Sequence, residues 1–392
     1  MSRPIAALTS ALLGVLLFTA SCSGNGNSSI QPPGGDRLGP FLFMVGQTSD
    51  TLFIFKEADN GTLSLVASSA TGHTPIAIAV QGTSIFQPTL FVLNSADATV
   101  SAVNLDPRTG MATPTGSPGT TGSNPVAMDI RNGAGLVSST FSDFGTLYIL
   151  NQGSNSISGL HVTDLQGNLA AVPGSPFTTQ TNPQSIAVVS NGGLVTDPHF
   201  VYVANGTLGS ISAFKVNSDG SLTELTGSPF SAGTNVVFVA GRPGGRILMA
   251  SDADTNKLLA FKIADDGTLT PFPGSPFAVG TQPGPIAFTQ FSNTFVYVAN
   301  RGSSNISAFQ VDTTAFTLTP IPGSPFAVGT NPVAMSVMTS LSQLFVANQG
   351  SGDINGFKSD ITTGVLSPIT GAPMHVVIPP SGLQTFFVLQ AH

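Results

Sequence analysis

Tryptophan is absent from this 392-residue chain, and only three tyrosines, five histidines and one cysteine occur in it. All three tyrosines (Tyr148, Tyr202 and Tyr297) open apolar strand-like stretches, so aromatic platforms for stacking sugars are not expected. A single cysteine excludes a disulfide within the chain, and packing alone has to hold the fold together. Charge is equally scarce. Charged residues make up 8% of the chain, against about 25% in an ordinary soluble domain. The twelve Lys and Arg are scattered and the net charge is −7, which excludes the clustered cations that a nucleic-acid partner requires. Glu57 and Glu224 are the only glutamates. No Gly-rich phosphate loop, no paired histidines at metal spacing and no GxSxG elbow occur, and no cofactor is expected.

Glycine (44) and proline (29) are abundant, and they are periodic rather than clustered. This pattern means many turns between strands. The stretch Tyr297–Phe309, YVANRGSSNISAF, reads as a β-hairpin: an apolar strand, a polar Asn/Gly/Ser turn and a second strand. Related hairpins start at Phe43, Phe91, Tyr148, Tyr202, Leu248 and Phe345, and a lone strand, FFVLQ, starts at Phe386. The first strand of each hairpin is expected to end at Gly46, Asn94, Asn151, Asn205, Ser251, Asn300 and Asn348, 46 to 57 residues apart. A GSP tripeptide keeps the same time at Gly116, Gly174, Gly227, Gly274 and Gly323, with GAP at Gly371. A short loop, a proline (Pro75, Pro125, Pro183, Pro283, Pro332) and another apolar strand follow.

Each unit of about 50 residues therefore holds four short strands, A to D, the pattern of a radially repeated β-propeller blade. Asn-Gly at Asn60 and Asp-Gly at Asp219 and Asp266 supply the positive φ that tight C–D hairpins need. The fold expected is all-β: a seven-bladed β-propeller of four-stranded antiparallel blades over 41–392, closed by N- and C-terminal strands that share a blade. The start of the chain is expected to supply strands C and D of the closing blade. His375–Ile378 is expected to supply strand A, and Phe41–Val45 and Phe386–Leu389 compete for position B.

The YVAN hairpins and the LTPxPGSPFAVGTxP stretches resemble the YVTN-type repeat of the lactonase-like (6-phosphogluconolactonase-like) seven-bladed propellers, from about Phe41 to the C-terminus. The resemblance implies that fold and the alternative of lactone hydrolysis. No catalytic motif of that family can be placed on this chain residue by residue. Residues 1–21 resemble a bacterial lipoprotein signal peptide, with Arg3, an apolar run Ile5–Phe18, and Thr19-Ala20-Ser21 before Cys22, which would carry the lipid. Thr19 stands where Leu is usual. An ordinary secretory signal and an uncleaved anchor are the alternatives, although the apolar run is short for the ~20 residues of a membrane-spanning helix. Residues 22–40 read as a flexible linker. Ser23 after the cysteine resembles the signal for the outer membrane.

In a propeller the B–C turns and D–A loops share one face, and chemistry is expected there. Asp50, Asp97, Asp252, Asp254 and Asp353, with Arg301, would form this binding face. His73 in a D–A loop and His375 are the two histidines able to approach the mouth, and they are the catalytic candidates. His161 and His199 fall toward the opposite face, and His392 is the last residue. Asp252, Asp254 and Asn256 alternate like the opening of a calcium loop, but Lys257 stands at the glycine position and Ile263 where a closing Glu belongs. Arg242 and Arg246 form a small basic pair between strands A and B. Phe177, Phe230, Phe277 and Phe326 recur after GSP as blade-to-blade packing. The function expected is an exported, lipid-anchored binding module of the cell envelope: a monomer engaging an envelope protein or small ligand at the mouth, touching the membrane only through its lipid. The alternative is a lactonase-type hydrolase.

Overall fold

A computed structural model describes residues 41–58, 62–81, 88–132, 144–191, 197–290, 294–338 and 342–375, and the backbone of the strand Phe386–Leu389. The expected leader with Cys22, the expected linker, Asn60, Ile378 and His392 lie outside the described residues. Seven antiparallel sheets follow one another along the chain. Blade 4 shows the plan: strand A is Ser185–Ser190, B is His199–Ala204, C is Ser210–Val216 and D is Leu222–Glu224. D then turns at the GSP corner and resumes as Phe230–Ser231, against the start of strand C. Blades 3, 5, 6 and 7 share this interrupted D strand, and the Ser-Pro or Ala-Pro peptide at each corner is cis. Blade 2 has an unbroken D strand, Ala112–Thr120, and blade 1 has Leu63–Ala70.

The A strands lie innermost, each against the A strand of the next blade. The B strands form the core. Thr294–Asn300 is buried at every position, as are Phe41–Gly46 and Gln343–Asn348. Such strands carry apolar residues on both faces because each face meets a neighbouring blade, which a half-exposed strand could not tolerate. The described residues contain no helix, and so none long and apolar enough to cross a membrane.

The N- and C-terminal strands share the closing blade, as expected, but the positions they take in it differ. Blade 1 takes B (Phe41–Gly46), C (Thr51–Glu57) and D (Leu63–Ala70) from the start of the chain, and Phe386–Leu389 is its A strand, pairing Leu389 with Phe41 and Phe386 with Met44. Phe41–Gly46 runs straight into its hairpin partner and must sit beside it, so the open inner edge is left for the last strand. Met374–His375 is not an A strand. It resumes strand D at the rim of blade 7, opposite Ile354 and Asp353.

The hairpins are locked by a polar ladder. The Asn at the end of strand B donates its side-chain amide to the residues five and seven positions on. Asn205 reaches Ser210 and Ser212, both at 3.0 Å, and Asn300 reaches Asn305 at 2.7 Å and Ser307 at 2.9 Å. In blade 5 this rung belongs to Asp252, which pairs with Lys257, and not to Ser251. Met249, not Leu248, stands in the register of Tyr297, so strand B ends one residue beyond LMAS. The D–A loop that enters the blade presses on the Asn, so that a Cβ at Gly280 would sit 2.7 Å from the Asn300 Cγ. Only glycine fits there.

On the opposite face the C–D turns close with glycines at positive φ (Gly220, 76°; Gly267, 86°), as Asp-Gly requires. Tyr148, Tyr202 and Tyr297, all fully buried, donate to the carbonyls of Gly220, Gly267 and Gly364 in the turn of the next blade, at 2.7–2.8 Å. Tyr202→Phe leaves the Gly267 carbonyl short of a donor and should cost about 1–2 kcal/mol in urea unfolding. The same substitution at an unlatched surface tyrosine would cost nothing.

Candidate functional site

At the mouth, each D–A loop lies against the B–C turn of the blade it enters. The Gln152 N–H donates to the Asn124 carbonyl at 2.9 Å, and Arg301 N–H to that of Gln282 at 3.0 Å. The loop residue before the proline that leads into strand A holds left-handed backbone at Thr74, Asn124, Asn182, Gln282 and Asn331, with φ of 47° to 58°. At Thr74, Asn182 and Gln282 its N–H is capped by the B–C turn of the preceding blade. Asn256 accepts from Gln282 at 2.8 Å, and Asp50 accepts from Thr74 at 2.8 Å.

One of these loops carries chemistry. The position before the left-handed residue holds Ser123, Thr181, Thr234, Thr281 and Thr330 elsewhere, and His73 between blades 1 and 2. Asp50, already capping Thr74 through Oδ1, places Oδ2 2.8 Å from His73 Nδ1. Asp97, from the B–C turn of blade 2, accepts the backbone N–H of His73 at 2.7 Å. An ionised carboxylate only accepts, so Nδ1 carries the proton and Nε2 presents its lone pair. The side chain is 73% exposed. The hydrogen bond to Asp50, with the charges of Asp97 and Asp50, raises the His73 pKa above the ordinary imidazole value. The same bond, with that from Thr74 N–H, lowers that of Asp50. The arrangement is an oriented imidazole backed by a carboxylate, open to solvent at the mouth.

The other expected site residues are placed apart from it. Asp254 accepts from the Asn235 side-chain amide at 2.9 Å, and Arg301 donates Nε to Asn331 Oδ1 at 3.3 Å, both on the mouth face. Asp252 is 2% exposed and caps the D–A loop, accepting from the backbone of Thr234 and Asn235 and from the Thr234 hydroxyl. Asp353 is buried and accepts the Asn348 amide at 2.7 Å. His375, on the rim strand, does not join His73. With Asp252 engaged in its loop and Asn256 capping Gln282, the calcium-loop residues do not converge. Among the described residues no three His, Cys, Asp or Glu side chains gather as a metal site.

Away from the mouth, His161 bridges Thr146 Oγ1 (3.1 Å) and the Asp219 carbonyl (2.9 Å). Arg246 pairs with Asp265 at 2.5 Å, and Arg242 donates to Thr294 Oγ1 at 3.0 Å, so the basic pair is used within the protein.

Two carboxyls were overlooked as titratable groups. Asp129, within VAMDI, is the one acid on the described A strands. It accepts from Val188 N–H of the next A strand at 2.7 Å, and burial pushes its pKa to about 6. The signal was a lone acid interrupting an apolar strand. Glu57 is 3% exposed, at the end of the blade away from the mouth. Burial pushes it to about 7, with the Gln343 side chain offsetting a part of that. A carboxyl whose folded pKa exceeds its unfolded value stabilises fully below about 4.5, and that contribution is lost as pH rises through 7. Glu57→Gln should therefore flatten the fall in stability between pH 5 and 8, by on the order of 2–3 kcal/mol at the alkaline end. Urea midpoints at the two pH values check this, and an unchanged slope would exclude Glu57 as its source.

Residues 268–378, spanning the end of blade 5 to blade 7, match the family model described as lactonase, 7-bladed beta-propeller. The chain has a lactonase-like fold. The periplasmic gluconolactonase PpgL of Pseudomonas aeruginosa is 15% identical, with a TM-score of 0.67 over 90% of this chain and 100% of that one. A Bacteroides fragilis protein described as a candidate 6-phosphogluconolactonase is 17% identical, with a TM-score of 0.68 over 90% and 98%. A functionally unknown protein from Desulfotomaculum acetoxidans is 16% identical, with a TM-score of 0.65 over 88% and 98%. No curated protein matches the sequence. At these identities the lactonase-like propellers share the fold with this chain, and the chemistry has to be argued from its own residues.

Proposed function

We propose that the protein hydrolyses a lactone at the mouth between blades 1 and 2, with His73 as general base. The observation that carries this is the 2.8 Å Asp50–His73 contact in an exposed loop of a lactonase-like propeller. The neutral Nε2 removes a proton from a water, and the water oxygen adds to the ring carbonyl. The tetrahedral intermediate then expels the ring oxygen, which takes the proton back from the imidazolium and leaves a hydroxy acid. Asp50 fixes the tautomer and steadies the transient imidazolium, as the third member of a triad does. The charges around His73 are acidic, Asp50 and Asp97, so an unphosphorylated lactone suits this mouth better than a sugar phosphate.

The binding-module expectation drew its weight from sparse acid–base chemistry and an export leader. The Asp50–His73 pair favours the hydrolase instead. The test is hydrolysis of a panel of plain and phosphorylated lactones by the purified protein. A saturable rate on plain lactones supports the proposal, and no rate above buffer from folded protein overturns it.

A further inference from the structure

The Phe that follows GSP is a repeated part. Phe177, Phe230, Phe277 and Phe326 all resume strand D on the same rung, as the pairing of Phe177 with Ile157 and of Phe230 with Ile211 shows. Each is half-buried and lies against an apolar cluster. The Phe277 ring is 6.4 Å from Phe309 on strand C of the next blade.

Blade 2 lacks this ring. Its corner reads GSPG, and Gly119 occupies the rung opposite Val100. The facing position on the next strand C, Phe214 or Phe309 elsewhere, is Leu160. Two rings are missing from one blade boundary, and a groove of about 620 Å³ opens there. Pro118, Leu160 and Leu169 give it apolar walls, while Thr120, Ser158 and Thr178 contribute hydroxyls. No lining residue is charged or titratable. Ser158 Oγ accepts the Asn151 amide at 2.9 Å, which leaves its own proton to donate. Rings stack and pack in such slots through their faces, with a hydroxyl satisfied at the edge.

We propose that this groove binds an uncharged phenolic ring, which takes the place of the phenyl group that four other blades supply from their own chain. The ring lies between Leu160, Leu169 and Pro118, and its hydroxyl meets the Ser and Thr hydroxyls. The site is separate from His73 and stands whether or not the mouth hydrolyses lactones.

Phenol itself is the probe, followed by saturation-transfer NMR on the full protein, with toluene and glucose as comparisons. Gly119→Phe restores the repeat. Its Cβ would lie 2.8 Å from Leu169 Cδ1, 3.0 Å from Leu160 Cδ1 and 3.2 Å from Leu169 Cβ, so both leucines must shift to admit the ring, while the backbone needs no change because Gly119 is not among the positive-φ glycines. The expected result is saturable phenol binding, weakened at least tenfold in Gly119→Phe and unchanged in His73→Ala. Leu160→Phe fills the groove from the other wall and should weaken binding in the same way if Gly119→Phe does not fold. The proposal is overturned by the absence of saturable phenol binding, by phenol bound equally in the filled variants, or by glucose competing as well as phenol. Toluene binding as tightly as phenol would overturn the role given to the hydroxyls.

Discussion

Replacing His73 by alanine should lower lactone hydrolysis by about 10²- to 10⁴-fold, the usual contribution of a positioned general base, with the fold unchanged. The side chain is exposed, so its loss opens no cavity, and the capping of Thr74 by Asp50 survives. The loss should fall on kcat more than on KM, because proton abstraction belongs to the transition state. The pH profile gives a second readout. Only neutral imidazole can accept a proton, so the rate should rise with pH and level off above a midpoint higher than the ordinary histidine value, because Asp50 and Asp97 favour the cation. Asp50→Asn removes the hydrogen-bonding carboxylate and should move that midpoint down while lowering the plateau. A rate indifferent to His73→Ala would remove it from the mechanism.

Asp252→Ala should cost about 2–3 kcal/mol. This carboxylate accepts from two backbone N–H groups and a hydroxyl of the D–A loop. Asp252 is 2% exposed, but Thr234 is exposed and Asn235 half-buried, so water takes up part of what alanine removes and the loss falls below the roughly 1–3 kcal/mol per group of fully buried orphans. Burial works to raise the Asp252 pKa, and the Thr234 N–H, the Thr255 side chain, the Asn235 N–H and the Thr234 hydroxyl together outweigh it, so the net shift is downward. The sign follows. A depressed carboxylate stabilises above its unfolded pKa and loses that contribution as pH falls through the folded one. The gap between wild type and Asp252→Ala in urea unfolding should therefore be full at neutral pH and shrink in acid. A gap that persists unchanged at pH 2–3 would mean that the side chain acts through packing rather than charge.

The blade count and strand order were legible because a propeller repeats one solution seven times, and apolar alternation, GSP corners and Asp-Gly turns all announce it. Ring closure was harder. FFVLQ and FLFMV look alike as strings, and only the hairpin bond between Phe41–Gly46 and Thr51–Glu57 decides which is inner. In the mouth, His73 and the acidic turns stood out as residue types, but the contact of Asp50 with His73 joins two turns 23 positions apart and depends on blade spacing that no local pattern records. The same blindness hid the inward role of Asp252 and Asp353. Both sit in turns that look solvent-facing, yet each occupies a rung of the polar ladder. Asp129 was visible as an anomaly within an apolar strand, and its partner Val188 belongs to another blade.

The pairing of Phe386–Leu389 with Phe41–Met44 also bears on how the molecule is made. Hairpins and blade neighbours are local and can assemble while the chain is still emerging from the ribosome, in the manner of any stacked repeat. The first blade cannot be completed then, because its inner strand is synthesised after the strands of the other six blades. Its open edge has to survive unpaired throughout translation, and such an edge is a template for wrong partners. The emergence of Phe386–Leu389 thus turns an open arc into a ring.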